Sequence, residues 1–486
     1  MKIFDFSPSS IDWMMLLPYL FVSGAGVLAL ILRMIAPKGK NQAIITTSII
    51  GLILAAITLI IQFVEPKSET FGHMLFRDSI GSMLQLMLVG VCFLTILFSE
   101  NYLKEKEIAW GEFYPLLLWG TTGAMMMVGT THLLTLFLGL EVLSIALYVL
   151  TGLSRRDTKS EESALKYFLL GAFASGFLLY GIAFYYGATG GLELSLLAKA
   201  LQMGDPFTQK LLLFSLGLLL VGFLFKAAYF PFHQWTPDVY QGAPTNVTAF
   251  MASGVKIAAI GVFYRILQAA FPLKEFWIPL LFWIAILTMC IGNFTALMQK
   301  DVKRVLAYSS IANAGYLLVA ILSHLNSPES VGLGAMFFYL ISYCLVVIGA
   351  FAILTLCVKK ENESTRYEDL YGLSKRSPYA ALIWVILIAS LMGAPPTAGF
   401  FGKFLIINDA LQSNLAALAI ILVVNAVVAA YYYLNMIRAA FTAPSSAASS
   451  FSSSISFGFV TTTFLCAAGA LTLSFFMSDV VRWVGI

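Results

Sequence analysis

Charge is scarce in this chain. Only 11% of its 486 residues are Asp, Glu, Lys or Arg, 59% are hydrophobic, and the mean hydropathy is +0.87. No soluble domain of this length has that balance, so the expected fold class is an all-α polytopic membrane protein. Cysteine is rare as well. The five cysteines, Cys92, Cys290, Cys344, Cys357 and Cys466, lie in apolar stretches and none forms a C-x-x-C pair. That argues against zinc or iron–sulfur ligation and against disulfides. No nucleotide-binding glycine loop, metal-ligand cluster or nucleophile triad is legible, so the chain does not read as a self-contained redox enzyme. The net charge of +4 gives no reason to expect a nucleic-acid partner.

Long apolar runs fill the space that charge leaves empty. Runs of about 20 residues predict fourteen spanning helices. Their approximate limits are 12–35, 43–63, 80–98, 113–130, 132–153, 162–187, 211–230, 245–270, 276–298, 304–324, 331–358, 379–407, 413–441 and 456–477. The first run is too long for the apolar core of a signal peptide and is kept as a span. The weakest division is between the fourth and fifth, around Thr130 to His132, where little polar sequence intervenes.

Lys and Arg in the connections set an orientation. With the N-terminus outside, 18 of the 29 basic residues fall on the inner side, 8 on the outer side, and 3 lie within spans. Both termini are therefore expected on the outer side, with an even number of spans. Three connections stand out. Residues 188–210 have room for a short amphipathic helix, 359–378 form the most charged loop, and 444–454 are a Ser-rich linker.

Two spans carry prolines where a helix should continue. The seventh runs into Pro231, Pro237 and Pro244, and the twelfth contains Gly393, Pro395, Pro396 and Gly399. Proline removes a backbone donor and clashes with the preceding turn, so both helices are predicted to break. Freed backbone groups survive at membrane depth only if buried in protein or lining a wet cavity. Broken helices five spans apart predict two inverted repeats of five helices. The expected division is an N-terminal three-helix segment at 1–112, a first repeat at 113–270, a second at 271–441, and a linker with a final helix at 442–486. Ordinary proline kinks are the alternative.

Charges stand in four of these spans: Glu141, Lys226, Lys256 and Lys403. A charge at mid-bilayer costs roughly 2.5–3.5 kcal/mol on insertion scales, so each is a candidate ion or proton site. Of the acids, Glu141 alone falls in the middle of a predicted span. A lone Glu in hydrocarbon is driven to its protonated form, and a nearby lysine would keep it ionised. An acid–lysine pair there can act as a switch: closed, the lysine stays charged; opened, it gives up its proton. Arginine could not do this, since it keeps its proton. The order Glu141, Lys226, Lys256, Lys403 would trace a relay along the membrane centre. Against it stand structural ion pairing for Glu141 and snorkelling to the interface for the lysines, Lys403 above all. His233, Tyr308, Ser310, Asn313 and Tyr343 are secondary candidates, for gating or for supporting water chains, although hydroxyls more often make ordinary interhelical hydrogen bonds.

The stretches FKAAYFPFHQWTPDVYQGAPTNVTAF (225–250), RVLAYSSIANAGYL (304–317) and GAPPTAGFFGKF (393–404) resemble the antiporter-like subunits of proton-pumping NADH–quinone oxidoreductase, respiratory complex I. Subunits of multisubunit cation/proton antiporters share this superfamily. The motif PFHxWxPDVYxGAP, followed by a helix with Lys rather than His, is closest to the subunit N branch. The resemblance implies that Glu141, Lys226, Lys256 and Lys403 carry protons, driven by quinone reduction elsewhere in the complex. It implies no cofactor in this chain; flavin, iron–sulfur clusters and quinone belong to partner subunits. The expected partners are neighbouring membrane subunits, lipid, water and protons. Many relatives have His where Asn313 stands, and Asn cannot take up a proton, so the path between Lys256 and Lys403 is expected to be bridged by water. A cation/proton antiporter subunit and a structural spacer with merely paired charges are the alternatives.

Overall fold

The computed structural model describes residues 11–35, 41–202, 205–327, 332–357, 365–443 and 455–484. Lys2, Lys38, Lys40, Lys359, Lys360 and the Ser-rich linker at 444–454 lie outside the described residues. In chain order the helices are α1 Trp13–Ile35, α2 Gln42–Phe63, α3 Ser79–Glu105, α4 Phe113–Val128, α5 Leu133–Thr151, α6 Thr158–Thr189, α7 Leu196–Gln202, α8 Pro206–Ala227, α9 Trp235–Gly242 and α10 Thr245–Ala269. They continue as α11 Lys274–Leu297, α12 Val302–Asn326, α13 Gly332–Leu354, α14 Leu373–Arg376, α15 Pro378–Met392, α16 Ala398–Gln412, α17 Ala416–Phe441, α18 Phe457–Thr472 and α19 Met477–Val484.

Twelve of the described helical segments are long and apolar enough to cross a membrane. Adding α4, and joining α15 to α16 as halves of one crossing, gives the fourteen crossings predicted. Short polar residues start several of them. Asp78, Asp157, Asp205 and Asp301 each accept a hydrogen bond from a backbone N–H in the first turn of the helix they precede, satisfying donors that the helix itself cannot. The division between α4 and α5 falls at Gly129–His132, where His132 forms an isolated bridge to Glu193. The short helix foreseen in 188–210 is α7. One element departs from the all-α expectation: a two-stranded hairpin pairs Ser68–Thr70 with Leu75–Arg77 outside the spans. The last crossing also runs further than 456–477, turning through Leu473–Phe476 into α19, which packs on α13.

The two five-helix units use the same pairings. The first helix packs on the second (α4 on α5, α11 on α12). The third packs on both halves of the broken helix (α6 on α8 and α9, α13 on α15 and α16). The fifth returns to the first (α10 to α4, α17 to α11). Equivalent helices are offset by five crossings, an odd number, which gives the units opposite direction.

Both breaks form where proline demands. α8 ends with Ala228 in the left-handed region (φ 62°), a cis Phe230–Pro231 bond follows, and the chain resumes helix at Trp235. α15 ends with Gly393 at φ 89°, a cis Pro395–Pro396 bond follows, and α16 begins at Ala398. Pro237 and Pro244, by contrast, sit inside α9 and just before α10. At the centre stand α10, α12 and α13, almost wholly buried. Their sequences explain it: α10 reads TNVTAFMASGVKIAAIGVF, small residues on every face, so neighbours approach from all sides and no lipid-facing stripe remains.

Candidate functional site

Lys226 lies in the last turn of α8, 4% exposed. Its ammonium donates to Ser144 Oγ at 2.8 Å and to Tyr167 Oη at 3.0 Å, and stands 5.0 Å from the Tyr167 ring centre. Two hydroxyls and an aromatic face make a seat for a cation without a counter-ion in contact. Glu141 is one turn before Ser144 on α5. It is half-buried, makes no ion pair among the described residues, and its Oε1 is buried without a hydrogen-bond partner. The closed acid–lysine contact foreseen from sequence is not made in this arrangement; Ser144 and Tyr167 hold the ammonium. A cavity of about 10 Å³, room for one water, adjoins Lys226, Ser144, Tyr148 and Gly222.

Lys256 and Lys403 share a different arrangement. Lys256 reaches from α10 to donate to Ala227 O, the last residue of α8, at 3.2 Å and to Ser310 O at 2.7 Å. Lys403 reaches from α16 to donate to Leu391 O at 2.8 Å and Met392 O at 3.0 Å, the last residues of α15. Each ammonium thus closes the C-terminal end of the first half of a broken helix. Those carbonyls have no intrahelical partner, and the helix dipole presents partial negative charge there. Breaking a spanning helix creates a deep seat for a cation, and a lysine fills it in both units. Lys403 is 5% exposed, so it does not snorkel.

Polar groups of α12 and α13 lie between the last two lysines. Asn313 donates to Ser309 O at 2.7 Å and accepts from the Tyr339 hydroxyl, while the Ser309 and Tyr433 hydroxyls bond each other. Tyr339 packs beside Tyr316 (ring centres 6.4 Å apart), and Lys403 stands 5.5 Å from the Tyr316 ring. The buried hydroxyls of Ser310 and Tyr343 neighbour each other, and that of Ser310 also neighbours Tyr240; neither makes a well-formed hydrogen bond among the described residues, which leaves capacity for water. Of the secondary candidates, Ser310, Asn313 and Tyr343 face this interior. Tyr308 is half-buried and takes no part in the hydrogen-bond chain. His233 lies in the first break, its Nδ1 buried without a partner and its ring 5.9 Å from that of Phe230.

Other charges are buried that residue order did not mark as such, among them Lys303, Arg265 and Asp409. Lys303, assigned to the inner connection, is fully buried and donates to Ala243 O at 2.7 Å, closing the end of α9 as its counterparts close α8 and α15. Arg265, assigned to the outer connection, is buried in a two-hydrogen-bond pair with Asp78. Asp409, placed beyond the twelfth span, is 1% exposed on α16. It completes the buried stripe Gly402, Lys403, Ile406, Asp409, Ala410, whose three- and four-residue spacing was readable as a helix face.

On the side where α6 and α12 begin, Asp238 of the PDVY segment receives Lys166 Nζ at 2.9 Å and Arg304 Nη1 at 2.7 Å. Burial alone would push its carboxyl up, but these two cations outweigh that and hold it below the ordinary carboxylate range. The clamp fixes α9 against both repeats. Trp235 of α9 stacks on Tyr167 (ring centres 4.7 Å apart), so the position of α9 bears directly on a ligand of Lys226.

Known proteins match this architecture. The family described as NADH:quinone oxidoreductase/Mrp antiporter, TM, matches residues 130–429. NADH-quinone oxidoreductase subunit N of Trichlorobacter lovleyi is 41% identical over 429 residues, 88% of this chain and 87% of that one. Subunit N 1 of Herpetosiphon aurantiacus is 42% identical over 437 residues, 89% and 88% of the two chains. A chain of respiratory complex I from Thermus thermophilus superposes with TM-score 0.80 at 34% identity over 96% of this chain and 98% of that one. A chain of the Mrp complex from Dietzia sp. shares the fold, with TM-score 0.85 at 20% identity over 98% and 97%. The chain belongs to the NADH:quinone oxidoreductase/Mrp antiporter family of membrane subunits, and within it is of the subunit N type.

Proposed function

We propose that this chain is the proton-translocating N-type membrane subunit of a bacterial NADH–quinone oxidoreductase, with Glu141, Lys226, Lys256 and Lys403 as its proton carriers. One observation carries the relay: three ammonium groups sit deep in the protein, each held by neutral oxygens rather than by a carboxylate. Such groups pass between charged and neutral forms without leaving an orphaned counter-ion. Lys226 precedes Ala227, whose carbonyl holds Lys256; Lys256 bonds Ser310, one residue from Ser309 in the Asn313–Tyr339 chain; and that chain ends beside Lys403. Carbonyls hold protons but do not pass them, so transfer runs through hydroxyls and water between these seats. Glu141 approaching Lys226 holds the proton in place, and its withdrawal releases it.

The redox reaction is assigned to partner subunits carrying flavin, iron–sulfur clusters and quinone. The even number of crossings and the surplus of Lys and Arg on one side support termini on the periplasmic face. The subunit N relatives favour complex I over a cation/proton antiporter; co-purification with flavin and iron–sulfur subunits is the expected result, and a purified assembly without them would overturn it.

The relay is tested at Lys226 in the assembled complex. Lys226→Arg keeps a cation but cannot release its proton, and Lys226→Met removes the charge. Both are expected to stop transport through this subunit while the complex assembles. Unchanged pumping in Lys226→Arg would mean that the residue is only a structural charge.

A further inference from the structure

The path has a second, unassigned buried acid at one end. Asp409 lies six residues beyond Lys403 on the same buried face of α16, about 9 Å further along the helix axis. Gly332 opens α13 against it: a Cβ there would lie 2.4 Å from Asp409 Oδ2 and 2.8 Å from His324 Cβ, so the acid and His324 of α12 flank the same point. Nothing bulkier than glycine leaves them that close. Two more polar groups share this end of the bundle. The Ser413 and Ser323 hydroxyls are fully buried without hydrogen-bond partners among the described residues, and Asn326 Nδ2 donates to Ser413 O at 2.8 Å, joining the ends of α12 and α16. His324 is only half-buried, and its ring lies 5.9 Å from that of Tyr264, which neighbours the Arg265–Asp78 pair. Charge and hydroxyl groups therefore run from the deep α16 stripe to the surface at the ends of α10, α12 and α16.

We propose that Asp409 and His324 form the aqueous end of the proton path. The reading rests on the Lys403 relay. An N–H bond of the Lys403 ammonium breaks, water carries the proton past Ile406, and an O–H bond forms on the Asp409 carboxylate. That O–H then breaks as an N–H forms on the His324 ring, and His324 releases the proton to bulk water. One positive charge moves and no electrons do. By the orientation proposed above, α16 ends on the outer face, so this end is the exit. Asp409 is the inner station and His324 the one that meets solvent.

The test measures proton pumping against NADH oxidation in the assembled complex for Asp409→Asn, Asp409→Glu, His324→Gln and Lys403→Met. Asp409→Asn is expected to lower pumping roughly tenfold or more, below the hundredfold scale of losing a positioned acid–base group because water persists. Asp409→Glu should restore most of it, which a packing role for Asp409 would not allow. If Asp409→Asn fails to assemble, His324→Gln, at a half-exposed position, carries the same expectation. Normal pumping in Asp409→Asn or His324→Gln with none in Lys403→Met overturns the exit and leaves the relay standing. Normal pumping in all variants overturns both.

Discussion

Replacing Lys256 by Met separates a carrier from a strut. The side chain is 2% exposed and makes two hydrogen bonds, to Ala227 O and Ser310 O. Each charge-assisted bond is worth about 1.5–3 kcal/mol, and losing a cation at the end of α8 forfeits about 0.3–2 kcal/mol. Against this, burying an ammonium costs several kcal/mol, a penalty that an apolar side chain of similar length avoids. Methionine matches lysine in length, and its flexible thioether adapts to irregular space. The terms nearly cancel, so Lys256→Met should change the stability of the assembled complex by no more than about 2 kcal/mol, while transport through the subunit is lost. Thermal unfolding of the purified complex reads the first quantity, and a pH-sensitive dye in proteoliposomes reads the second. Full pumping with normal stability would refute the relay. A complex that fails to assemble would refute the cancellation and make Lys256 a strut.

Other expectations concern the supports. Asp238 is held below its ordinary range when folded, so its contribution is present at neutral pH and disappears only as pH falls through that lowered value. Asp238→Asn should therefore remove the acid-side loss of stability and cost no more than about 1 kcal/mol at neutral pH, because the 39%-exposed carboxylate is screened; unfolding midpoints across acid pH check this, and a variant that keeps the wild-type acid sensitivity would contradict it. Gly393→Ala places a Cβ at φ 89° and 3.2 Å from Lys403 Cδ. It should destabilise by about 1–3 kcal/mol and depress pumping through the displaced lysine; wild-type behaviour in both assays would show that the second break tolerates a side chain.

Much of this protein was legible because hydrocarbon is an exacting solvent. Where water is absent, a run of about 20 apolar residues must be helix, a proline must break it, and a charge must have a reason. That is why the crossings, both breaks and the three deep lysines could be read from residue order. The errors have one common cause. Arg265, Lys303 and Asp409 stand near helix ends, where sequence reads them as solvated, yet packing buries them against Asp78, the Ala243 carbonyl and Gly332 of α13. The partners of Lys226 were hidden for a related reason: Ser144 and Tyr167, which hold its ammonium, come from two different helices.

Sequence by itself determined which residues cannot face lipid, because transfer free energy depends on the side chain alone. Tertiary structure decided what those residues face instead. That Lys256 of one helix caps α8, and that Lys403 turns back to cap α15, depends on two broken helix ends meeting two distant side chains. Such a meeting is fixed by how the helices pack within each repeat, and no local pattern encodes it.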